Sequence, residues 1–210
     1  MFFWSKLKLP SRTIDDIKKI CRVLFVDDQK FDTVEIISKS GWNVERVKDI
    51  DAIDSPVVRN SHIFFIDIKG VGRAMKFSDD GLGLVSAIKE RYPEKKVVIY
   101  SSVSEGNRFH QALKKADDLL SKNADPYEFQ TTLEKLSKEV FDVDECLPII
   151  RAKLRDEFGV SINIEDLRKS IDKLYKTQPI NNEHVAKVLG IAIDKAGALA
   201  SIISLLIQKK

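Results

Sequence analysis

The chain has 210 residues, of which 43% are hydrophobic and 32% charged, and its 35 basic residues nearly balance 32 acidic ones. Such a composition can bury a core, so it excludes a disordered, collagen-like or low-complexity protein. The net charge of +3 gives no general electrostatic reason to expect nucleic acid, and the 2 cysteines fit neither a disulfide framework nor a zinc site. We expect reduced thiols in a cytoplasmic protein.

Between Arg22 and Lys138, short apolar runs rich in β-branched residues alternate with longer amphipathic stretches. This alternation is typical of βα units around a parallel sheet, so the predicted fold class is α/β. Five strands are predicted, over residues 23–26, 43–47, 62–66, 96–100 and 118–120. Helices are predicted over residues 30–40, 51–58, 81–91, 105–116 and 125–141.

From Asp144 onward the sequence contains no strand-like run, and helical periodicity continues to its end. The predicted helices of this part cover residues 145–158, 163–176, 182–189 and 194–207. Asp194 and Lys195 interrupt the last apolar stretch, which argues against a membrane span. We therefore predict three parts: an N-terminal extension over 1–20, an α/β domain over 21–143 and a small all-α domain over 144–210.

Polar side chains follow the predicted strands where each strand ends: Asp27 and Asp28, then Asp67, Ser101 and Lys122. Each of them alone is more simply a turn residue, a helix cap or a surface charge. Together they would meet at the carboxyl edge of the sheet, where three carboxylates repel one another unless a cation lies among them. Oxygen ligands of this kind suit Mg²⁺. A carboxylate beside that ion can act as a nucleophile toward a phosphoryl group.

Four motifs at strand ends carry a resemblance to a known family: Val26-Asp27-Asp28, Ile66-Asp67, Tyr100-Ser101-Ser102 and Ser121-Lys122. In this order they resemble the receiver domain of bacterial two-component response regulators. The stretch Gly81-Leu82-Gly83-Leu84 at the start of the third helix is also similar to that family. The resemblance covers about residues 21 to 141. It implies a doubly wound, flavodoxin-like sheet and a part in phosphorelay signal transduction.

The resemblance also implies a role for each site residue. Asp67 would be the phosphoacceptor, supplied by a sensor histidine kinase or a phosphotransfer protein. Asp27 and Asp28 would hold Mg²⁺ together with Asp67 and the backbone carbonyl of Lys69. Lys122 would pair with the phosphoryl oxygens, and Ser101 would donate a hydrogen bond to them.

Such a protein is a switch and not a turnover enzyme. The alternative of a phosphatase-like hydrolase is less favoured, because Lys69 stands where a general acid would help.

Three departures from the family pattern support a further alternative, a degenerate receiver that acts as a docking scaffold. Asn123 follows Lys122 where the family has a proline, and Leu119 stands where it usually has an aromatic residue. Asp67 and Gly81 are 14 positions apart, more than is usual in the family. The segment between them carries Lys69, Arg73 and Lys76 and could cover the site or contact a partner.

The all-helical part allows three readings. Residues 183–191 resemble the first helix and turn of a DNA-binding helix-turn-helix, but residues 195–203 lack an early Arg, Asn or Gln to read bases. The last helix is apolar all round and must be buried, either in a homodimer or partner interface or simply in a domain core. His184 and Lys187 resemble a histidine phosphotransfer helix, although Val188 stands where that helix has a glycine.

Overall fold

The computed structural model describes residues 12–102, 114–177 and 180–207. The described chain divides into two compact units, one spanning Thr13–Val140 and one containing Arg12 and the residues from Phe141 onward. The first unit is an α/β domain, and the second consists of helices.

The α/β unit contains one five-stranded sheet in which all neighbouring strands are parallel. Its strands are β1 (Arg22–Val26), β2 (Asn43–Val47), β3 (Ile63–Asp67), β4 (Lys96–Ser101) and β5 (Asp118–Ser121). Their order across the sheet is β2-β1-β3-β4-β5, the flavodoxin-like order of doubly wound sheets. The predicted fold class is confirmed, and each predicted strand lies within one residue of the observed one.

The helices of this unit are α1 (Ile14–Ile20), α2 (Thr33–Lys39), α3 (Pro56–Asn60), α4 (Gly81–Arg91) and α5 (Pro126–Val140). The helix predicted over 51–58 begins only at Pro56, because proline is favoured in the first turn and Ser55 precedes it as the cap residue. Most of the helix predicted over 105–116 lies outside the described residues, and residues 114–117 form turns and bends. Helix α1 was not predicted.

Helix α1 lies in the segment predicted as an N-terminal extension. Its start is a capping box, in which the side chains of Thr13 and Asp16 each accept a hydrogen bond from the backbone N–H of the other residue. Ile17 is buried, and the helix packs against α5 and β2. Residues 14–20 are therefore a structured part of the α/β unit.

The two faces of the sheet differ in their side chains, because successive residues of a strand point to opposite faces. One face carries Leu24, Phe64 and Val97, which belong to the cluster packed with α3 and α4. The other face carries Phe25, Phe65 and Tyr100. The ring of Phe25 contacts those of Phe65 and Tyr100, and these two contact Phe129 of α5. Asp27 and Asp67 follow Phe25 and Phe65 by two positions, so the alternation directs them to this same side.

The helical unit comprises α6 (Val143–Phe158), α7 (Ile164–Lys176), α8 (Asn182–Leu189), a 3₁₀ turn (Ile193–Lys195) and α9 (Gly197–Ile207). Asp142, Asn163 and Asn181 cap the starts of α6, α7 and α8 with their side chains. In place of the single helix predicted over 194–207, the chain forms the 3₁₀ turn and then α9.

Helix α9 is buried by the helical unit itself. Leu199, Ile203 and Ile207 are 0% exposed and belong to one cluster with Leu147 and Ile150 of α6. The apolar helix is thus the centre of a domain core, the simplest of the sequence readings. Because α9 is buried within one copy of the unit, its apolar residues no longer argue for a homodimer, which stays a prediction. Over the described residues, no helix is long and apolar enough to cross a membrane.

Candidate functional site

Three carboxylates meet at the carboxyl ends of the neighbouring strands β1 and β3. One oxygen from each of Asp27, Asp28 and Asp67 lies within 4.8 Å of the others. Asp27 is completely buried and Asp67 is 5% exposed, whereas Asp28 is half-buried. The structure therefore brings together the three acidic residues that the sequence predicted.

Lys122 places its ammonium between two of these carboxylates. Its Nζ lies 2.6 Å from Asp67 Oδ2 and 2.9 Å from Asp27 Oδ2. Burial opposes the charge of Lys122, but the hydrogen bonds to Asp67 and Asp27 and the negative charges of both residues together outweigh burial and raise the pKa of Lys122 above its ordinary value. The ammonium also lies 5.9 Å from the ring centre of Phe31 and 5.6 Å from that of Tyr100.

The turn after β5 presents Lys122 without the proline that the family has at the next position. The Asn123 N–H donates to Ser121 Oγ at 3.2 Å, and the Ala124 N–H donates to the Ser121 carbonyl at 3.0 Å. A proline has no N–H and could not make the first of these bonds. The Lys122 N–H in turn donates to the Ser101 carbonyl. Asn123 is thus part of the turn that aims Lys122 at the carboxylates.

Ser101 ends β4 beside Ser121 of β5, and it is 8% exposed. In the register of the sheet, however, Asp67 pairs with Tyr100. Strand alternation therefore places Tyr100 on the face that carries Asp67, and Ser101 follows on the opposite face. The hydrogen bond from Ser101 to a phosphoryl group stays a prediction.

Tyr100 is the site residue that the sequence did not identify as functional. Its hydroxyl donates to Asp27 Oδ2 at 2.8 Å, and its side chain is completely buried. Burial, together with the negative charge of Asp27, raises the pKa of Tyr100 far above its ordinary value, so the hydroxyl remains a donor. A tyrosine in an apolar strand reads as a core residue. Only the register of β3 and β4, which the sequence pattern does not give, brings Tyr100 beside Asp67.

The segment after β3 lies directly against the side chain of Asp28 at Gly70. A β-carbon built on Gly70 would lie 2.4 Å from Asp28 Oδ2, and Gly70 has φ +84°. Only glycine combines this conformation with so close an approach. The Asp28 carboxylate therefore lies against the backbone of Gly70, the residue after Lys69. The metal-binding role of the Lys69 carbonyl stays a prediction.

Asp49 holds the long segment between Asp67 and Gly81. Its carboxylate accepts the Gly72 N–H at 2.5 Å and the Ala74 N–H at 3.0 Å. Val71 is buried, and the Gly81 N–H donates to the Ile68 carbonyl at 2.9 Å. The two ends of the segment are thus joined to each other, and Asp49 holds its middle. Nothing in the sequence pattern indicated Asp49.

The donor set fits a hard divalent cation. Three carboxylates against the one ammonium of Lys122 leave the cluster with a formal charge of −2 when all are ionised. All three acids offer oxygen ligands, and half-buried Asp28 leaves one side of the cluster open to water. Mg²⁺ prefers oxygen ligands and retains several waters, so the residues present suit it.

No protein-family model matches the chain, and neither does any curated protein. Solved structures do match it. A CheY-like response regulator receiver domain from Methanospirillum hungatei is 18% identical with a TM-score of 0.47, and the match covers 58% of this chain and 96% of that one. A response regulator from Thermotoga maritima is 22% identical with a TM-score of 0.47, and the match covers 56% of this chain and 98% of that one.

A longer protein, NtrX from Brucella abortus, is 25% identical with a TM-score of 0.49. That match covers 73% of this chain and 34% of the NtrX chain. The solved structures that match this chain thus include receiver domains.

Proposed function

We propose that the Thr13–Val140 unit is a phosphorylation-dependent receiver, in which Asp67 accepts a phosphoryl group with Mg²⁺. The observation that carries this proposal is the position of the Lys122 ammonium, 2.6 Å from Asp67 Oδ2, inside a cluster of three carboxylates. A nucleophilic carboxylate, a fixed ammonium and a set of metal-binding oxygens are the groups that phosphoryl transfer to a carboxylate requires.

In the proposed step, a carboxylate oxygen of Asp67 attacks the phosphorus atom of a phosphohistidine or of a small phosphodonor. A bond forms between this oxygen and phosphorus. The bond from phosphorus to the donor nitrogen or oxygen breaks, and its electron pair leaves with the donor. A histidine ring nitrogen takes up a proton from water, whereas acetyl phosphate releases acetate as the anion. A sensor histidine kinase or a phosphotransfer protein would supply the phosphohistidine. Because the product is the modified protein itself, the reaction is a switch rather than turnover.

The chain's own residues have distinct tasks in this step. Lys122 can exchange its contact with Asp67 for one with the phosphoryl oxygens, and Ser101 is proposed to donate a hydrogen bond to them. Asp27 and Asp28 would hold Mg²⁺ with Asp67 and the Lys69 carbonyl. When bound, the ion neutralises negative charge on the carboxylates and the phosphoryl oxygens.

The test is intact-mass spectrometry after incubation with acetyl phosphate, with and without Mg²⁺. We expect one phosphoryl adduct that requires Mg²⁺ and is absent from Asp67→Ala. Asp51→Ala is the matched control, because Asp51 is an exposed acidic residue outside the cluster. An adduct that persists in Asp67→Ala would contradict the assignment of the phosphoacceptor. The absence of any adduct in the unmodified chain would favour the alternative of a degenerate receiver that serves as a docking scaffold.

The helical unit is proposed to be the output part, which associates with a second copy or another protein when Asp67 is phosphorylated. DNA binding is less supported, since residues 195–203 lack an early Arg, Asn or Gln to read bases, and Leu199, Ile203 and Ile207 of α9 are buried in the core of the unit. Basic side chains of the unit also form ion pairs: Lys153–Glu157, Arg155–Asp156, Arg168–Asp144, Lys169–Asp166 and Lys176–Asp172.

Light scattering with and without beryllofluoride, a phosphoryl mimic, tests the association. A mass that does not change with the mimic would argue against self-association. A salt-dependent mobility shift with duplex DNA would instead restore the DNA-binding alternative.

A further inference from the structure

We propose that Tyr100 is a positioning residue for Asp27: its hydroxyl holds this buried carboxylate in the orientation in which it binds a divalent cation. The inference deepens the proposed function and rests on it. Tyr100 belongs to none of the groups that the sequence motifs assign to metal binding or phosphoryl transfer.

The first observation is that Tyr100 reaches across the sheet. Its strand, β4, is separated from β1 by β3. Tyr100 pairs with Asp67 in register, yet its hydroxyl passes this neighbour and donates to Asp27 Oδ2 at 2.8 Å. The hydrogen bond therefore joins the ends of two strands that are not themselves paired.

The second observation is that the ring is fixed. Tyr100 stacks on Phe31 with 5.1 Å between ring centres, and the rings of Phe25 and Phe129 meet it edge-on at 5.9 and 5.8 Å. Aromatic pairs in these arrangements are attractive beyond the area they bury. The hydroxyl oxygen lies on the axis of the ring, so a ring flip does not move it. Tyr100 is thus a donor at a constant position.

The third observation concerns how donors are shared at Asp27. Its Oδ1 accepts the Gln29 N–H at 2.9 Å, and its Oδ2 accepts from both Tyr100 and Lys122. Lys122 also contacts Asp67, where the phosphoryl group would arrive. When the ammonium turns to the phosphoryl oxygens, Tyr100 remains as the side-chain donor that keeps Asp27 Oδ2 in place. Hydrogen bonds to ligating carboxylates are the outer layer that orients a metal site.

The experiment is a calorimetric titration of the unphosphorylated full chain with Mg²⁺, comparing the unmodified protein with Tyr100→Phe. The variant keeps the ring and removes only the hydroxyl. We expect roughly a 10- to 100-fold weaker affinity for the ion, the usual effect of losing such a partner. Tyr127→Phe is the control, because Tyr127 is 73% exposed. This variant should bind Mg²⁺ with the affinity of the unmodified protein. Saturating Mg²⁺ should restore phosphorylation of Tyr100→Phe.

A double-mutant cycle with Asp27→Asn tests whether Tyr100 acts through Asp27. In the Asp27→Asn background, Tyr100→Phe should cause no further loss of affinity. Equal affinity of the unmodified chain and Tyr100→Phe would overturn the proposal while leaving the proposed function intact. If the unmodified chain itself bound no Mg²⁺, the proposed function would fail first. A Tyr100→Phe variant that unfolds and does not refold with Mg²⁺ would assign the residue a structural role only and also overturn the proposal.

Discussion

The carboxylate of Asp28 lies directly against the backbone of Gly70, with no space between them for a β-carbon. Gly70→Ala should therefore displace Asp28 and weaken Mg²⁺ binding by at least about tenfold. Calorimetric titration measures this change. Gly159→Ala is a matched control, since Gly159 has φ +67° and no atom within 4 Å of an added β-carbon. It should cost about 1 kcal/mol of stability from strain alone and leave Mg²⁺ affinity unchanged. Equal Mg²⁺ affinity in the two variants would contradict the role of Gly70.

Asp49→Ala should release the segment between Asp67 and Gly81. The substitution leaves the buried Gly72 N–H without its acceptor, at a cost of about 1–3 kcal/mol, and also removes the acceptor of the exposed Ala74 N–H. We expect faster trypsin cleavage after Arg73 and Lys76, both exposed, as measured by mass spectrometry of the fragments. Asp51→Ala changes an exposed acidic residue of the same loop and should be cleaved at the rate of the unmodified chain. An unchanged rate in Asp49→Ala would show that other contacts hold the segment.

Lys122→Met should destabilise the α/β unit in the absence of divalent cations. The change keeps the apolar stem and leaves the buried carboxylates of Asp27 and Asp67 without their ammonium, a loss of about 3 kcal/mol. Because Mg²⁺ would replace the missing positive charge, it should raise the unfolding midpoint of Lys122→Met more than that of the unmodified chain. Chemical denaturation with and without Mg²⁺ measures both effects. Lys135→Met, which breaks an exposed ion pair with Asp118, should change stability by less than about 1 kcal/mol.

His62 should make the α/β unit sensitive to acid. Burial, together with the charges of Lys95 and Arg22, lowers the pKa of His62 from 6.5 to about 3. The neutral ring accepts the Arg22 N–H at Nδ1, 2.9 Å away. Because the unfolded chain binds a proton below pH 6.5 and the folded chain does not, stability is fully present above pH 6.5.

This stability should fall by about 1.4 kcal/mol per pH unit as the pH drops from 6.5 toward 3. Urea denaturation at several pH values measures the slope. His62→Asn keeps an acceptor near the Nδ1 position and removes the titration, so its slope in this range should be smaller. Parallel pH profiles for the two proteins would rule out His62 as the source.

The sequence predicts the sheet well because its signals are local. Strands β1, β3 and β4 are short, mostly apolar runs, and burial on both faces leaves such runs few alternatives. Helix α1 was missed, since its 7 residues carry few apolar positions and its burial depends on packing against α5 and β2. Helix α3 was shifted because Pro56, and not the apolar pattern, sets where it begins.

The residues of the candidate site also differ in whether the sequence could predict them. Asp27, Asp67 and Lys122 could be predicted because strand ends of a parallel sheet converge. Tyr100 could not, because its partner Asp27 is 73 positions away and is selected by the register of three strands. Asp49 and its partner Gly72 are likewise 23 positions apart, and no periodic pattern connects them.

The position of β5 at the edge of the sheet affects the charge balance of the three carboxylates when this strand opens locally. The carboxylates follow β1 and β3 in the interior of the sheet, whereas Lys122 follows β5, a four-residue strand paired only with β4 among the described strands. Edge strands fray at a lower free energy than central ones. A brief detachment of β5 would withdraw the ammonium while the three acids stay together, so their mutual repulsion would act against an otherwise intact sheet. Because Mg²⁺ would replace the missing positive charge in the opened state, hydrogen exchange at Leu119 and Leu120 through this local opening should become faster when Mg²⁺ is added.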